Sequence, residues 1–93
     1  MFNLHISRNH HLDHDECHSL AEDLLAQLVE KYGGKFRAEG ENLKYRHPVT
    51  GMSAIVQPSQ ETLDITVKLN MMTRSFGPQI EKEINRVLDK KIV

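Results

Sequence analysis

An α+β fold of five strands and two helices, in the order β-α-β-β-β-β-α, is predicted by three features of the 93-residue sequence. Two stretches, Cys17 to Tyr32 and Ile80 to Ile92, repeat apolar residues at three- and four-residue steps, as helices with one buried stripe do. Before and between them, short runs alternate apolar with polar residues, as strands with one buried face do. Gly, Pro and Asn separate the four consecutive runs, so neighbouring strands join as hairpins and the sheet is mostly antiparallel. Two helical stripes and a one-faced sheet must cover one another, which makes residues 1–93 a single two-layer domain.

Each element has a local cause. Phe2, Leu4 and Ile6 alternate with Asn3, His5 and Ser7 to give a first strand. Asp13 and Glu16 form an imperfect capping box ahead of a helix over about 14–32, whose stripe is Cys17, Leu20, Ala21, Leu24, Leu25, Leu28, Val29 and Tyr32. Gly33 and Gly34 supply a left-handed exit. Lys35 to Glu39 and Leu43 to His47 flank Gly40-Glu41-Asn42 as a hairpin, and Met52 to Gln57 with Thr62 to Leu69 flank Pro58-Ser59-Gln60 as a second. In the last strand Leu63, Ile65, Val67 and Leu69 face one way, with Thr62, Asp64, Thr66 and Lys68 toward water. A loop over 70–77 leads to a helix that Pro78 opens, with Glu81 and Glu83 near its start and Arg86, Lys90 and Lys91 near its end, as the helix dipole favours.

Composition removes several functions. Twelve Lys and Arg against thirteen Asp and Glu leave a net charge of -1, so no overall basic field holds nucleic acid or anionic lipid. Cys17 is the one cysteine, which rules out an internal disulfide and a paired-cysteine metal site and fits a reducing cytoplasm. The opening Met1 to Arg8 has neither the basic n-region nor the apolar run of a signal peptide. No 18-residue apolar stretch spans a membrane, although contact with a hydrophobic surface asks for less.

Four constellations invite chemistry. Five of the six histidines (His5, His10, His11, His14 and His18) fall in the first 18 residues. His14 and His18, four apart on the first helix, have the spacing to share a divalent ion with His10, Asp15 or Glu16, against the plainer readings of a solvated, pH-sensitive helix entrance or a partner contact. Cys17 between them suggests a Cys-His nucleophile, but its place on the apolar stripe makes a buried thiol the ordinary explanation. Lys35, Arg37, Lys44 and Arg46 alternate on the two arms of the first hairpin and share its outer face, either as solvated charge or as a contact for an anion or acidic partner. Phe36 and Tyr45 alternate inward and leave that face without stacking groups for nucleic acid. Met71, Met72 and Phe76, in the loop before the last helix, either plug the end of the core or form an apolar lip for a partner, lipid or polymer surface. No acid-base pair of carboxylates can be nominated.

Along nearly its full length the chain resembles the polyhydroxyalkanoic acid system family, small bacterial proteins linked to polyester storage granules. The resemblance rests on Ile6-Ser7-Arg8-Asn9-His10-His11-Leu12, Lys31-Tyr32-Gly33, Glu39-Gly40-Glu41, Val49-Thr50-Gly51, and Pro78-Gln79-Ile80-Glu81-Lys82-Glu83-Ile84 with Leu88-Asp89. The chain departs from the family pattern at Ala38, where an aromatic often precedes the Glu-Gly turn, and at Met71-Met72, where aliphatics are usual. The resemblance implies a role in polyhydroxyalkanoate synthesis, use or granule surfaces and transfers no catalytic residue. Arg8 and His10 are its candidate polar surface positions.

An antiparallel sheet gripping the last helix also resembles a reduced helix-grip fold, whose larger relatives hold lipids internally. Size opposes that use here. An empty pocket of about 300 Å³ costs about 7 kcal/mol, comparable to the whole stability of a small domain. The expectation is therefore a noncatalytic, cytoplasmic accessory or binding protein of the polyhydroxyalkanoate system, without a cofactor. It would act on the polymer, its surface proteins or a second copy of itself as a homodimer. The alternative is a small-ligand or metal-binding protein using the amino-terminal histidines or a dimer-bounded pocket.

Overall fold

The computed structural model describes residues 2–92, with side chains from Asn3 onward, so the inward placement expected of Phe2 lies outside the described side chains. The strands are β1 (Phe2–Asn9), β2 (Lys35–Glu39), β3 (Asn42–Arg46), β4 (Ser53–Pro58) and β5 (Thr62–Leu69). The helices are α1 (His14–Tyr32) and α2 (Gly77–Lys91). The order is the one the sequence predicts. All four strand pairings are antiparallel, and the first strand closes the sheet next to the last in the spatial order β1-β5-β4-β3-β2.

Asp13 caps α1 as predicted. Its carboxylate accepts from the Glu16 amide at 2.8 Å while Glu16 Oε1 accepts from the Asp13 amide at 3.3 Å, a complete capping box. The predicted stripe buries Cys17, Leu20, Ala21, Leu24, Leu25 and Leu28, with Val29 and Tyr32 at its margin. Four residues of α2, Ile80, Ile84, Val87 and Leu88, complete the helical side of the core. The sheet answers with Ile6, Leu43, Tyr45, Ala54, Val56, Leu63, Ile65, Val67 and Leu69. Both helices pack against this one face, so among the described residues the other face of the sheet carries no second layer.

Three boundaries differ from expectation, β4 first: it runs Ser53–Pro58 rather than Met52 to Gln57, because Pro58 still pairs with Leu63. Glu39 pairs with Asn42, which shortens the first turn to Gly40-Glu41 and ends β3 at Arg46, freeing His47 from the strand. Gly40, at φ 64°, supplies the left-handed first position that a two-residue turn of this kind requires. The loop after β5 is also partly ordered: a 3-10 turn, Arg74–Phe76, runs directly into α2, which starts at Gly77.

The register places the connections at two ends of the sheet. One end gathers the β1–α1, β2–β3 and β4–β5 turns; the other gathers the α1–β2, β3–β4 and β5–α2 loops. Gly34 sets the closeness of the second end. At φ 94° it brings its backbone against β3, where an added Cβ would stand 2.8 Å from the Arg46 carbonyl and 3.0 Å from the Tyr45 ring.

Candidate functional site

Of the residues singled out from sequence, Met71, Met72 and Phe76 fall at the second end. Asn70 organises their loop. Its side-chain Oδ1 accepts from the amides of Met72 at 2.9 Å and Thr73 at 3.1 Å, and from the Thr73 hydroxyl at 3.1 Å. Thr73 Oγ1 in turn accepts from the Asn70 amide at 3.0 Å, and Thr73 is itself buried. These bonds fix the backbone on both sides of Met71 and Met72 with no contribution from the two thioether side chains, which stand 79% and 76% exposed.

Asn70 also donates from Nδ2 to the Thr50 carbonyl at 2.6 Å, tying this loop to the one between β3 and β4. Val49, one residue from that bond, is 83% exposed. His47 holds the second loop. Its Nδ1 accepts from the amides of Val49 and Thr50, both at 3.2 Å, so the proton sits on Nε2, which donates to the Tyr32 carbonyl at 2.9 Å. The result is a lip of Val49, Met71 and Met72 on two cross-linked loops. Phe76 stands apart: its ring meets Tyr32 with centroids 5.6 Å apart, half in the core margin and half in water. Sequence reading missed Val49 and Asn70. The Asn-x-x-Thr spacing of Asn70 and Thr73 was the available signal for a self-bonded turn.

The structure takes His10 off the surface. The ring is buried at 4% exposure at the opposite end of the sheet, because β1 stops at Asn9 and the chain must fold under the β4–β5 turn to enter α1. Its Nδ1 accepts from the Leu12 amide at 3.1 Å, which leaves Nε2 to donate to the Ser59 carbonyl at 2.9 Å. The His10 amide donates to the Glu61 carbonyl at 2.9 Å, completing the closure. Arg8 is half-buried and is engaged by other residues of the chain. It continues the inward parity of Ile6 and donates to Asn85 at 3.0 Å while pairing with Asp89 at 2.9 Å, fastening β1 to α2.

Cys17 meets His10 rather than His14 or His18: its Sγ lies 3.4 Å from His10 Nε2. With the Nε2 proton committed to Ser59, that imidazole has no lone pair for the thiol proton. Burial also pushes the thiol pKa up, away from thiolate. His14 and His18 stack their rings in parallel, centroids 6.4 Å apart, with His14 near Asp15 and Glu41 and His18 near Glu22. Among the described residues no three His, Cys, Asp or Glu side chains are grouped to hold a metal ion.

Two carboxylates are displaced from their ordinary range. Glu83 on α2 accepts from Lys31 at 2.6 Å and Arg86 at 2.9 Å, and these hydrogen bonds lower its pKa while linking the end of α1 to α2. Glu39 is lowered first by its hydrogen bond from Lys44, at 3.1 Å, with Arg37 adding to the effect. Tyr45 is raised by burial and donates to the Gly33 carbonyl at 2.6 Å. Tyr32 is also raised by burial, and its hydroxyl is buried without a hydrogen-bond partner.

Fold and site together define a two-layer α+β domain with one uncovered sheet face and an apolar lip at one end. The chain belongs to the family described as "putative polyhydroxyalkanoic acid system protein", whose family model matches residues 4–92, nearly the whole chain. No curated protein and no solved structure matches it. The protein is thus associated with the polyhydroxyalkanoate system, and no helix among its described residues is long and apolar enough to cross a membrane.

Proposed function

We propose that this protein is a noncatalytic accessory module of the polyhydroxyalkanoate system that docks on the storage granule in the cytoplasm through the Val49, Met71 and Met72 lip. The observation that carries this reading is the exposure of three large apolar side chains on two loops whose backbones are held by polar bonds. A loop that merely failed to pack would be expected to lack such bonds. Thioethers are flexible and polarisable, and they suit an irregular aliphatic polyester better than a shaped pocket. Family membership supplies the setting, and the commitment of His10 to structural bonds supports a role without turnover.

Cosedimentation with protein-free polyhydroxybutyrate granules tests the reading, with polystyrene beads and added salt as controls. Saturable binding to the polyester with weak binding to polystyrene is the expected result. Each exposed apolar side chain that becomes buried contributes about 1.5–3 kcal/mol at full burial, so Met71→Ser with Met72→Ser should weaken binding at least about tenfold. Parent and variant sedimenting alike, or neither sedimenting, would sink direct polymer contact through this lip.

A further inference from the structure

The sheet face that no helix covers plays no part in the lip or in the histidine closures. It forms a concavity of about 980 Å³ that opens to solvent. Antiparallel register arranges its outward side chains in rows that cross the strands. The row nearest the lip reads Lys35 on β2, Arg46 on β3, Ser53 on β4 and Lys68 on β5. The next reads Arg37, Lys44, Ile55 and Thr66. Five cations therefore stand on one concave surface of a chain whose net charge is -1.

Two features separate these cations from ordinary solvated charge. Lys35 stands directly opposite Arg46 and Arg37 directly opposite Lys44, and like charges paired across strands destabilise a sheet. Neutralisation is also uneven. Glu39, toward the opposite end of the face, bonds Arg37 and Lys44, whereas no carboxylate among the described residues pairs with Lys35, Arg46 or Lys68. A row of three uncompensated cations thus runs over three strand spacings, about 14 Å, with the half-buried Ser53, Ile55 and Thr66 as its floor. That length suits a small molecule. A polynucleotide would need a longer track and free stacking groups, whereas Phe36 and Tyr45, which border the concavity, pack against the core.

We propose that the uncovered face is a binding site for a small, multiply charged oxyanion, its charges held by Lys35, Arg46 and Lys68 and its less polar part lying over Ile55 and Thr66. The site is separate from the lip and stands whether or not the lip binds polymer. Phosphate esters and polycarboxylates share the required chemistry, and tripolyphosphate and citrate serve as probes for the two sources.

Calorimetric titration of the full chain at low ionic strength should give saturable binding of one probe, and the tighter of the two identifies the source. Sodium chloride at matched ionic strength should not reproduce the heat. Because hydrogen bonds to charged groups are worth about 1.5–3 kcal/mol, Arg46→Gln with Lys68→Gln should weaken binding about tenfold or more, while Met71→Ser with Met72→Ser leaves it unchanged. Both cations are exposed, and removing their repulsion should leave the ligand-free double variant at least as thermostable as the parent. Failure of both probes to saturate, equal affinity in the double variant, or a lower melting temperature of that variant without ligand would each overturn the proposal.

Discussion

The two ends of the sheet are held by the same device and finished differently. At one end His10 accepts a local amide on Nδ1 and donates from Nε2 to the distant Ser59 carbonyl; at the other His47 accepts local amides on Nδ1 and donates from Nε2 to the distant Tyr32 carbonyl. The His10 end buries its ring and closes over Cys17. The His47 end keeps its ring half-exposed and turns Val49, Met71 and Met72 outward. Equivalent polar fastening with opposite treatment of apolar side chains means the exposed lip is not a consequence of loose backbone. Hydrogen bonds hold those loops, and their hydrophobic side chains remain available for something else.

The largest expected effect tests whether the lip end rests on close backbone packing below the loops. Gly34→Ala combines a positive φ with a 2.8 Å approach to the Arg46 carbonyl, and chemical denaturation should show a loss of about 3 kcal/mol. A loss below 1 kcal/mol would mean the backbone there yields easily, and the contrast between the ends would fail.

The two histidines should then separate by burial. His10→Ala empties a buried ring site and leaves the part-buried Ser59 carbonyl and Leu12 amide without their partner, and should cost about 2–3 kcal/mol, whereas water can replace the half-exposed His47 ring and His47→Ala should cost about 1 kcal/mol. Equal losses would show that burial does not distinguish the ends.

The tyrosines near the lip sharpen the same point. Tyr45→Phe removes the bond to the Gly33 carbonyl and should destabilise by about 1 kcal/mol. Tyr32→Phe removes a buried hydroxyl that has no partner and should be neutral or stabilising by up to about 1 kcal/mol. Both losing stability alike would contradict the assignment of their hydroxyls.

Acid provides a smaller test of the helix linkage beside the lip. Because the Glu83 pKa is lowered from an ordinary value of 4.5 by Lys31 and then Arg86, its contribution is present above pH 4.5 and is lost as pH falls through the depressed value. The same direction holds for Glu39. Melting temperature in Glu83→Gln should therefore fall less between pH 6 and pH 3 than in the parent. Smallest of all, Met71→Ser with Met72→Ser should leave stability within about 0.5 kcal/mol of the parent, as exposed substitutions do. A larger loss would make the lip part of the core and remove it as a docking surface.

Residues with local or periodic signatures were readable without coordinates. The α1 stripe, its Asp13 cap, the Leu63 to Leu69 alternation and the element order follow from spacings of two to four residues. Candidate site residues divided by a different rule. Met71 and Met72 were found because apolar residues in a loop stand out, but their exposure depended on Asn70, whose partners include Thr50, twenty residues away. His10 was expected at the surface from the family resemblance, and nothing in the neighbouring residues announces the Ser59 carbonyl across the fold.

Sequence by itself determined the secondary structure, the one-sided burial of the sheet and the shared outer face of Lys35, Arg37, Lys44 and Arg46, because period and parity are properties of neighbouring residues. Tertiary structure decided that Lys68 joins that row, that β1 closes beside β5, that Arg8 ties β1 to α2 while His10 is buried under the β4–β5 turn, and that the loop carrying Val49 is tied to the methionine loop through Thr50 and Asn70. Each of those outcomes depends on which strand lies next to which. Turn signals order β2 to β5 as consecutive hairpins, but the place of β1 beside β5 goes with the packing of both helices on one face of the sheet, and no local pattern encodes it.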